Sequence, residues 1–405
     1  MIGNNFIAKI EGHGSLKVDW GKNSVKLQVH EGERLFEGIL VGRTAEEAHW
    51  ITPRICGVCP IAHNLASLTA LENALGIKIN ETAKFLRDLM KAGQMIQSHV
   101  LHLFFLALPD YIGLDKGTEL SKKDPKSFTK ALSLKELADE IAFVVAGRNV
   151  HPTTTAIGGF HKIPSKEELK KLLEKIKKTE KEAEWAAKFF SNLKYPELKV
   201  DLELVSQKDG KIISNKGREV SIEDYKQNLE EELRDYSTAK FGKFQGREIM
   251  VGALARLAHL EIGFPSGNPI SKLDFSNPFH NNLAQAIEIL EFTKQAEEII
   301  EKLLGMEMSK DRPCGEPQGR SLRGIGAIEA PRGGLYHEIH VEEGIVTYAN
   351  IITPTVQNLT SIEKSAQVLI EQFKENPPVG GKKEKEKLLN MLVRAYDPCI
   401  TCSVH

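Results

Sequence analysis

Five cysteines are present, and four of them form two C-x-x-C pairs, Cys56-Gly57-Val58-Cys59 and Cys399-Ile400-Thr401-Cys402. Thiolates at this spacing serve as metal ligands or as redox dithiols. An odd, sparse count in a chain of 405 residues is no disulfide framework. Three chemistries compete. A structural zinc site closes four thiolates into a tetrahedron, but such sites staple local modules whose pairs stand about 15–20 residues apart. Here the pairs occupy opposite ends of the sequence, in a chain long enough to need no staple. A thioredoxin-like dithiol needs one pair at a strand-to-helix junction and leaves the other pair unrelated. The third reading is a transition-metal centre with four sulfur ligands and a vacant position, because soft sulfur suits nickel and iron as well as zinc.

The flanking residues discriminate. Thr52-Pro53-Arg54-Ile55-Cys56-Gly57-Val58-Cys59-Pro60, followed by His63, and Asp397-Pro398-Cys399-Ile400-Thr401-Cys402-Ser403-Val404-His405 resemble the two signatures of nickel–iron hydrogenase large subunits. The resemblance extends to Ile10-Glu11-Gly12-His13-Gly14, Glu329-Ala330-Pro331-Arg332-Gly333 and Ile352-Thr353-Pro354-Thr355. A zinc ribbon requires none of these. Either C-x-x-C alone is a weak signal, whereas the joint match is specific.

The resemblance implies a nickel–iron centre, with Cys56 and Cys399 as terminal nickel ligands and Cys59 and Cys402 as sulfur bridges to an iron that carries carbon monoxide and cyanide. It further implies that His63 bonds a bridging sulfur and that Arg332, preceded by Pro331, stands over the open metal position. Thr355 matches a hydroxyl that donates to a cyanide, and Asp397 an acid that orients Arg332. Glu11 matches the first proton carrier beside a terminal cysteine; a carboxylate within reach is what removal of a sulfur-held proton needs. Outside the motifs, His63 would read as an ordinary partly buried histidine, Asp397 as a turn residue before proline, and Glu11 as a polar residue in a glycine-rich turn.

A second metal position is also implied near the C-terminus, with Glu37, the main-chain carbonyl of Ile351 and His405 as its protein ligands. An oxygen-rich set suits Mg2+; the histidine leaves Fe2+ open. In the family a C-terminal extension is commonly removed after nickel insertion, so a chain stopping at His405 corresponds to a processed form or to a member encoded without the tail. One departure concerns the helix after the first motif, where many uptake-type members carry an aspartate and this chain has Gln97-Ser98-His99. With Ser98 at that position, Asp397 is left as the one carboxylate beside Arg332. That feature, with Glu11 retained, resembles the cytosolic cofactor-coupled branch (coenzyme F420-, NAD(P)- or heterodisulfide-linked, or sulfhydrogenase alpha). Cys314, in Arg-Pro-Cys-Gly, matches no motif and reads as an incidental free thiol.

Alternation places strands at Phe6–Ile10, Leu16–Trp20 and Ser24–Val29, and helical spacing places helices at Asn64–Leu75, Glu81–Leu108 (ended by Pro109), Ser133–Gly147, Lys166–Leu193, Asn281–Leu304 and Lys382–Tyr396. Asp209-Gly210 and Glu343-Gly344 mark hairpins, the second joining Leu335–Val341 to Ile345–Ile352. The charged residues of 166–193 read as a solvated face. Charge is balanced, with 54 Lys+Arg against 55 Asp+Glu, which gives no footprint for nucleic acid. The longest apolar run, around Val100–Leu108, is interrupted by His102 and is far short of the roughly 20 residues that span a bilayer. The first residues carry no signal-peptide pattern, which favours the cytoplasm.

These readings combine into one expectation: a single domain over residues 1–405 of α+β class, mainly helical, with a core of long helices and small peripheral sheets. The implied reaction is reversible heterolytic cleavage of H2 to protons and electrons. No cysteine set remains for an iron–sulfur cluster, so an iron–sulfur small subunit is expected as partner, with further electron-transfer subunits and maturation proteins. Two rivals stay open, a zinc-stabilised scaffold and a catalytically idle relative of the NADH dehydrogenase quinone-site subunit.

Overall fold

Apolar residues recurring at helical spacing build the interior from long helices. The computed structural model describes residues 2–260, 269–311 and 321–405; Cys314 lies outside them. Helices α1 (Phe36–Leu40), α2 (Pro60–Leu75), α3 (Glu81–Val100), α4 (Pro125–Ala146), α5 (Lys166–Ser191), α6 (Ala253–Ala258), α7 (Asn281–Gly305), α8 (Pro354–Glu375) and α9 (Gly381–Ala395) carry most of the core. α7 packs against α5 and α3, and α3 against α4. Buried Leu86, Leu89, Ile96, Leu134, Leu137, Ile141, Leu172, Ile176, Ile289 and Ile300 fill the space between them.

Local chemistry sets the helix ends. Asn80 caps α3 by accepting from the Ala83 amide, and Ser165 and Glu168 form a capping box at α5. α4 begins at Pro125, well ahead of the expected Ser133 start, because Asp124 rather than Ser133 accepts from the first free amides; its stop at Gly147 is as expected. The expected 81–108 helix is α-helical only to Val100. Residues Leu101–Ala107 form a π-helical stretch, and a fresh α turn, Leu108–Ile112, ends at Gly113. Pro109 therefore does not stop the helix: it sits in the first turn of the new segment, where its missing N–H costs nothing.

The sheets are small. β1 (Ile2–Phe6), β2 (Gly14–Asp19) and β3 (Ser24–Val29) form an antiparallel meander. The first strand thus precedes the expected 6–10 span. The freed residues 7–13 turn through Lys9 and Gly12, both at positive φ, and carry Glu11 toward the C-terminal segment. A second meander joins β4 (Ser321–Ala330), β5 (Gly333–Glu342) and β6 (Ile345–Ile352); its last hairpin turns at Glu343-Gly344 as expected. The Asp209-Gly210 hairpin also forms, between Glu203–Lys208 and Lys211–Ser214.

α2 lies directly on β4. A Cβ at Gly326 would stand 1.9 Å from the Ala66 carbonyl oxygen, and one at Gly324 1.9 Å from that of Ala70. Glycines on the strand and alanines on the helix therefore bring the two backbones into contact. This contact fixes the start of α2, with Cys59 and His63, against the hairpin that bears Arg332.

Candidate metal centre

Cys56 follows a 3-10 turn, Thr52–Ile55, whose second residue is Pro53; Cys59 is the residue before α2, whose first residue is Pro60. Two prolines thus bracket the first pair and fix where the chain turns. Cys399 precedes the short helix Ile400–Ser403, which holds Cys402, and is reached through Asp397 at φ 50. All four cysteines are buried and free. Cys56 Sγ lies 3.4 Å from Cys399 Sγ, Cys59 Sγ 3.4 Å from Cys402 Sγ, and Cys399 Sγ 3.0 Å from Cys402 Sγ. The head and the tail of the chain therefore contribute to one sulfur cluster, paired as first with first and second with second.

The electrostatics of this cluster call for a cation. Burial holds the Cys399 and Cys402 thiols well above the usual range. Hydrogen bonding from Cys399 pulls the Cys56 thiol below it, and the Val58 and Cys59 amides donate to the Cys56 sulfur at 3.3 Å. Four crowded thiols cannot all ionise unless a metal offsets their mutual repulsion. The donor set is soft, which fits nickel and iron.

Around the cluster, Cys399 Sγ donates to Glu11 Oε2 at 2.8 Å, and the same carboxylate oxygen accepts from the Thr401 amide at 3.2 Å. Arg332 donates through Nε to the Asp397 carbonyl (2.6 Å) and through Nη2 to Asp397 Oδ1 (2.8 Å). Its Nη1 is buried and has no hydrogen-bond partner among the described residues. Burial disfavours the guanidinium charge, but Asp397 and the sulfurs of Cys399, Cys59 and Cys56 hold it well above its ordinary pKa. Arg332 thus keeps one buried donor that could serve a group bound at the cluster. Thr355, in the first turn of α8, accepts from the Cys399 amide at 2.9 Å, which leaves its own proton available. Pro331 offers its carbonyl to Arg256.

His63 Nε2 stands 3.9 Å from Cys402 Sγ, and its Nδ1 is 3.2 Å from His337 Nε2. Burial lowers the His63 pKa to about 3 and that of His337 well below the ordinary value, so both rings are neutral. Ser98 is buried, its hydroxyl unpartnered among the described residues. Among the same residues Asp397 is the one carboxylate bonded to Arg332.

The second expected set also assembles. His405 Nε2 is 2.7 Å from the Ile351 carbonyl oxygen and 3.9 Å from Glu37 Oε1. Glu37, on α1, accepts from the Ile351 amide at 2.7 Å, while His405 Nδ1 faces the Cys402 carbonyl at 2.9 Å. Both ring nitrogens of His405 thus face main-chain carbonyl oxygens beside the Glu37 carboxylate, and a set of this kind, mostly oxygen, suits a hard divalent cation.

Two contributors have no motif of their own. Arg34 Nη2 donates to the Ile55 carbonyl at 2.7 Å and also to the Thr401 carbonyl, and the Arg34 amide donates to the Val404 carbonyl. One guanidinium thus ties the two C-x-x-C segments together. His337, on β5, is the other; its alternation within a strand gives no sign that it meets His63.

Comparison with known proteins agrees with this geometry. The profile of the nickel-dependent hydrogenase family matches residues 34–130 and 206–405. The chain is 35% identical to the alpha subunit of sulfhydrogenase 1 of Pyrococcus furiosus, over 98% of its own length and 96% of that protein's. It is 30% identical to the corresponding chain of the F420-non-reducing hydrogenase of Methanothermobacter marburgensis, over 98% and 93%. The fold superposes on that of an NAD+-reducing [NiFe]-hydrogenase in its H2-reduced state with a TM-score of 0.86 and 25% identity, covering 99% of this chain and 98% of that one. With all four cysteines in place and a match across nearly its whole length, the chain belongs to the nickel-dependent hydrogenase family, as a large subunit.

Proposed function

We propose that this chain splits H2 heterolytically at a nickel–iron centre held by Cys56, Cys59, Cys399 and Cys402, with iron-bound carbon monoxide and cyanide. The observation that carries the reading is the convergence of four buried sulfurs with a carboxylate 2.8 Å from one of them. Bound there, a nickel–iron pair would supply Lewis-acid polarisation of H2 and the redox capacity for its two electrons.

The chain's own groups handle the proton. Cys399 Sγ is its first stop, and Glu11 Oε2 takes it by a single short hydrogen bond. Arg332, kept cationic by Asp397, contributes positive charge and the free Nη1 donor over the open side of the cluster. It is an electrostatic group and not a base, because a guanidinium does not give up its proton in a protein. Thr355, whose own proton is free, would donate to a cyanide nitrogen, and neutral His63 would donate to the Cys402 sulfur. Glu37, the Ile351 carbonyl and His405 would hold Mg2+ or Fe2+, which fastens the C-terminal residue next to Cys402.

Electrons leave to a partner. Beyond the four clustered cysteines the sequence has Cys314 alone, so the chain has no ligand set for an iron–sulfur relay. An iron–sulfur small subunit, with further electron-transfer subunits, is the proposed acceptor. The proposed setting is the cytoplasm; no helix among the described residues is long and apolar enough to cross a membrane. One domain closed around the shared centre is the proposed organisation.

Metal analysis of the enzyme purified with its partner tests the reading. Nickel and iron in the chain, infrared bands of iron-bound carbon monoxide and cyanide, and H2-dependent dye reduction are the expected results. Zinc alone, without those bands, would overturn it, as would a Cys399→Ser variant that reduces dye at the wild-type rate.

A further inference from the structure

Helix α3 and the π-helical stretch that continues it pack against α7, with two buried polar rungs between them. His99 Nε2 meets Glu288 Oε2 at 2.8 Å, and His102 Nδ1 meets Gln285 Oε1 at 2.5 Å. The partners are three residues apart on both strips, so they share one helix face. His102 belongs to the π-helical stretch Leu101–Ala107, a local widening of the kind that re-aims a side chain. All four side chains are buried.

Each rung continues to Arg332 by a different route. From the first, Glu288 accepts from Arg256 Nε at 2.6 Å and Nη2 at 2.7 Å. Burial opposes the Glu288 charge, but the Arg256 guanidinium brings its pKa to about 2. Arg256 then donates to the Ala330 and Pro331 carbonyls, each at 2.9 Å, and to Glu329 Oε2 at 2.8 Å. The two peptide oxygens just ahead of Arg332 are thereby held. Gly252, which immediately precedes α6, closes on the same backbone: a Cβ there would lie 3.1 Å from the Arg332 carbonyl oxygen. From the second rung, Gln285 Nε2 donates to Asp397 Oδ2 at 3.0 Å, the oxygen that Arg332 leaves free. His102 Nε2 donates to the Arg394 carbonyl at 2.7 Å, which also accepts from the Asp397 amide at 2.8 Å.

We infer that Gln285 and Glu288 are positioning residues for Arg332, one fixing its carboxylate partner and the other its backbone. The physical need is plain. A long arginine side chain is loose by nature, and a charged donor serves a reacting centre only when held to a fraction of an ångström. Among the described residues Asp397 is the one carboxylate bonded to Arg332, and two side chains of one helix add to that restraint. Both act through Arg332, so their loss should be felt there and nowhere else in the reaction.

The inference rests on the hydrogenase reading above. Its test uses the holoenzyme with Gln285→Met and Glu288→Gln, each alone and combined with Arg332→Lys. Four quantities are read: nickel per chain, melting temperature, the infrared cyanide bands, and kcat with KM for H2. Both single variants should keep their nickel, shift the cyanide bands, and lose between about tenfold and a hundredfold in kcat with KM nearly unchanged. In the Arg332→Lys background the same substitutions should change kcat by less than about twofold, because the shared target is already gone. A loss that persists at full size in that background would overturn the inference, as would folded, nickel-loaded single variants with wild-type bands and kcat. If Glu288→Gln does not fold, Gln285→Met decides, since Asp397 keeps its ion pair with Arg332 there. Wild-type enzyme lacking nickel and iron would instead refute the parent reading and this inference with it; wild-type enzyme that is loaded and active, with insensitive variants, refutes the inference alone.

Discussion

Glu11 and Cys399 are 388 positions apart in sequence, yet their backbones form a parallel bridge, and the Ile400 amide donates to the Glu11 carbonyl at 2.9 Å. The main-chain bonds thus set the Glu11 backbone beside the cysteine segment, and the Thr401 amide, donating to Oε2 at 3.2 Å, holds the carboxylate against the sulfur. Gly12 makes the approach feasible: a Cβ there would stand 2.8 Å from the Ile400 Cβ, and its φ of 86 suits glycine.

Glu11→Gln keeps the shape of that contact and removes the proton acceptor. H2-dependent dye reduction should fall by about a hundredfold or more, the loss typical of a missing general base, while nickel per chain stays at the wild-type level. Steady-state rates and metal analysis on one preparation check this. A rate within about twofold of wild type would exclude Glu11 as the exit.

Arg34 calls for a different outcome. It donates to carbonyls of both cysteine segments and touches no sulfur, so its task is to hold the tail against the head. Arg34→Met leaves the Ile55 and Thr401 carbonyls without that partner, at about 1–3 kcal/mol for each bond to a charged donor. Nickel per chain should drop and the residues after Tyr396 should become open to limited proteolysis, while turnover per bound nickel stays near wild type. Loss of turnover per nickel with full loading would contradict this role.

These residues also show what can be read from sequence. The cysteines, Glu11 and Arg332 stand in short runs whose neighbours identify them. Arg34, His337 and Gln285 do not: their partners lie 367, 274 and 112 positions away, and only the fold brings them together. Periodicity finds α7, where apolar residues recur every third or fourth position. α8 is not among the expected helices, although Val356, Leu359, Ile362, Ala366, Leu369, Ile370 and Phe373 recur at helical spacing and are buried; its first turns also bury Gln357, Asn358, Thr360 and Ser361 against neighbouring backbone, which a hydropathy pattern does not foretell. β4 is missed, since Gly324 and Gly326 replace the bulky residues that mark strands.

Those two glycines provide a test of how the site is held. Gly326→Ala places a methyl group 1.9 Å from the Ala66 carbonyl oxygen, and the obstacle is backbone on both sides. Helix α2 must lift from β4, at a cost of several kcal/mol, toward or beyond the upper end of ordinary overpacking. The melting temperature should fall sharply and nickel loading with it, because Cys59 and His63 move with the helix. Gly305→Ala, where a Cβ meets nothing within 4 Å, is the control and should change neither. Equal behaviour of the two variants would show that the close contact does not govern the site.

His49 contributes to the expected response to acid. It is fully buried on the helix Ala45–Ile51, both ring nitrogens lack partners among the described residues, and burial lowers its pKa to about 4. Unfolded, it titrates near 6.5. Between these values the unfolded chain binds a proton that the folded chain refuses, so stability falls as pH drops through that window. The loss from this residue is about 3 kcal/mol by pH 4, at 1.4 kcal/mol per pH unit and proton. His99, His259 and His280 are lowered for the same reason and add to the slope. Below about pH 4.5 Glu288 joins them, because its folded pKa of about 2 makes the folded state refuse a proton there as well. Urea midpoints of the purified enzyme measured from pH 7 to pH 4.5 should therefore decline steadily. His49→Met, which fills the space without a titrating group, should flatten that decline by about one proton's worth. An unchanged slope in the variant would mean that His49 finds a charged-state partner on protonation.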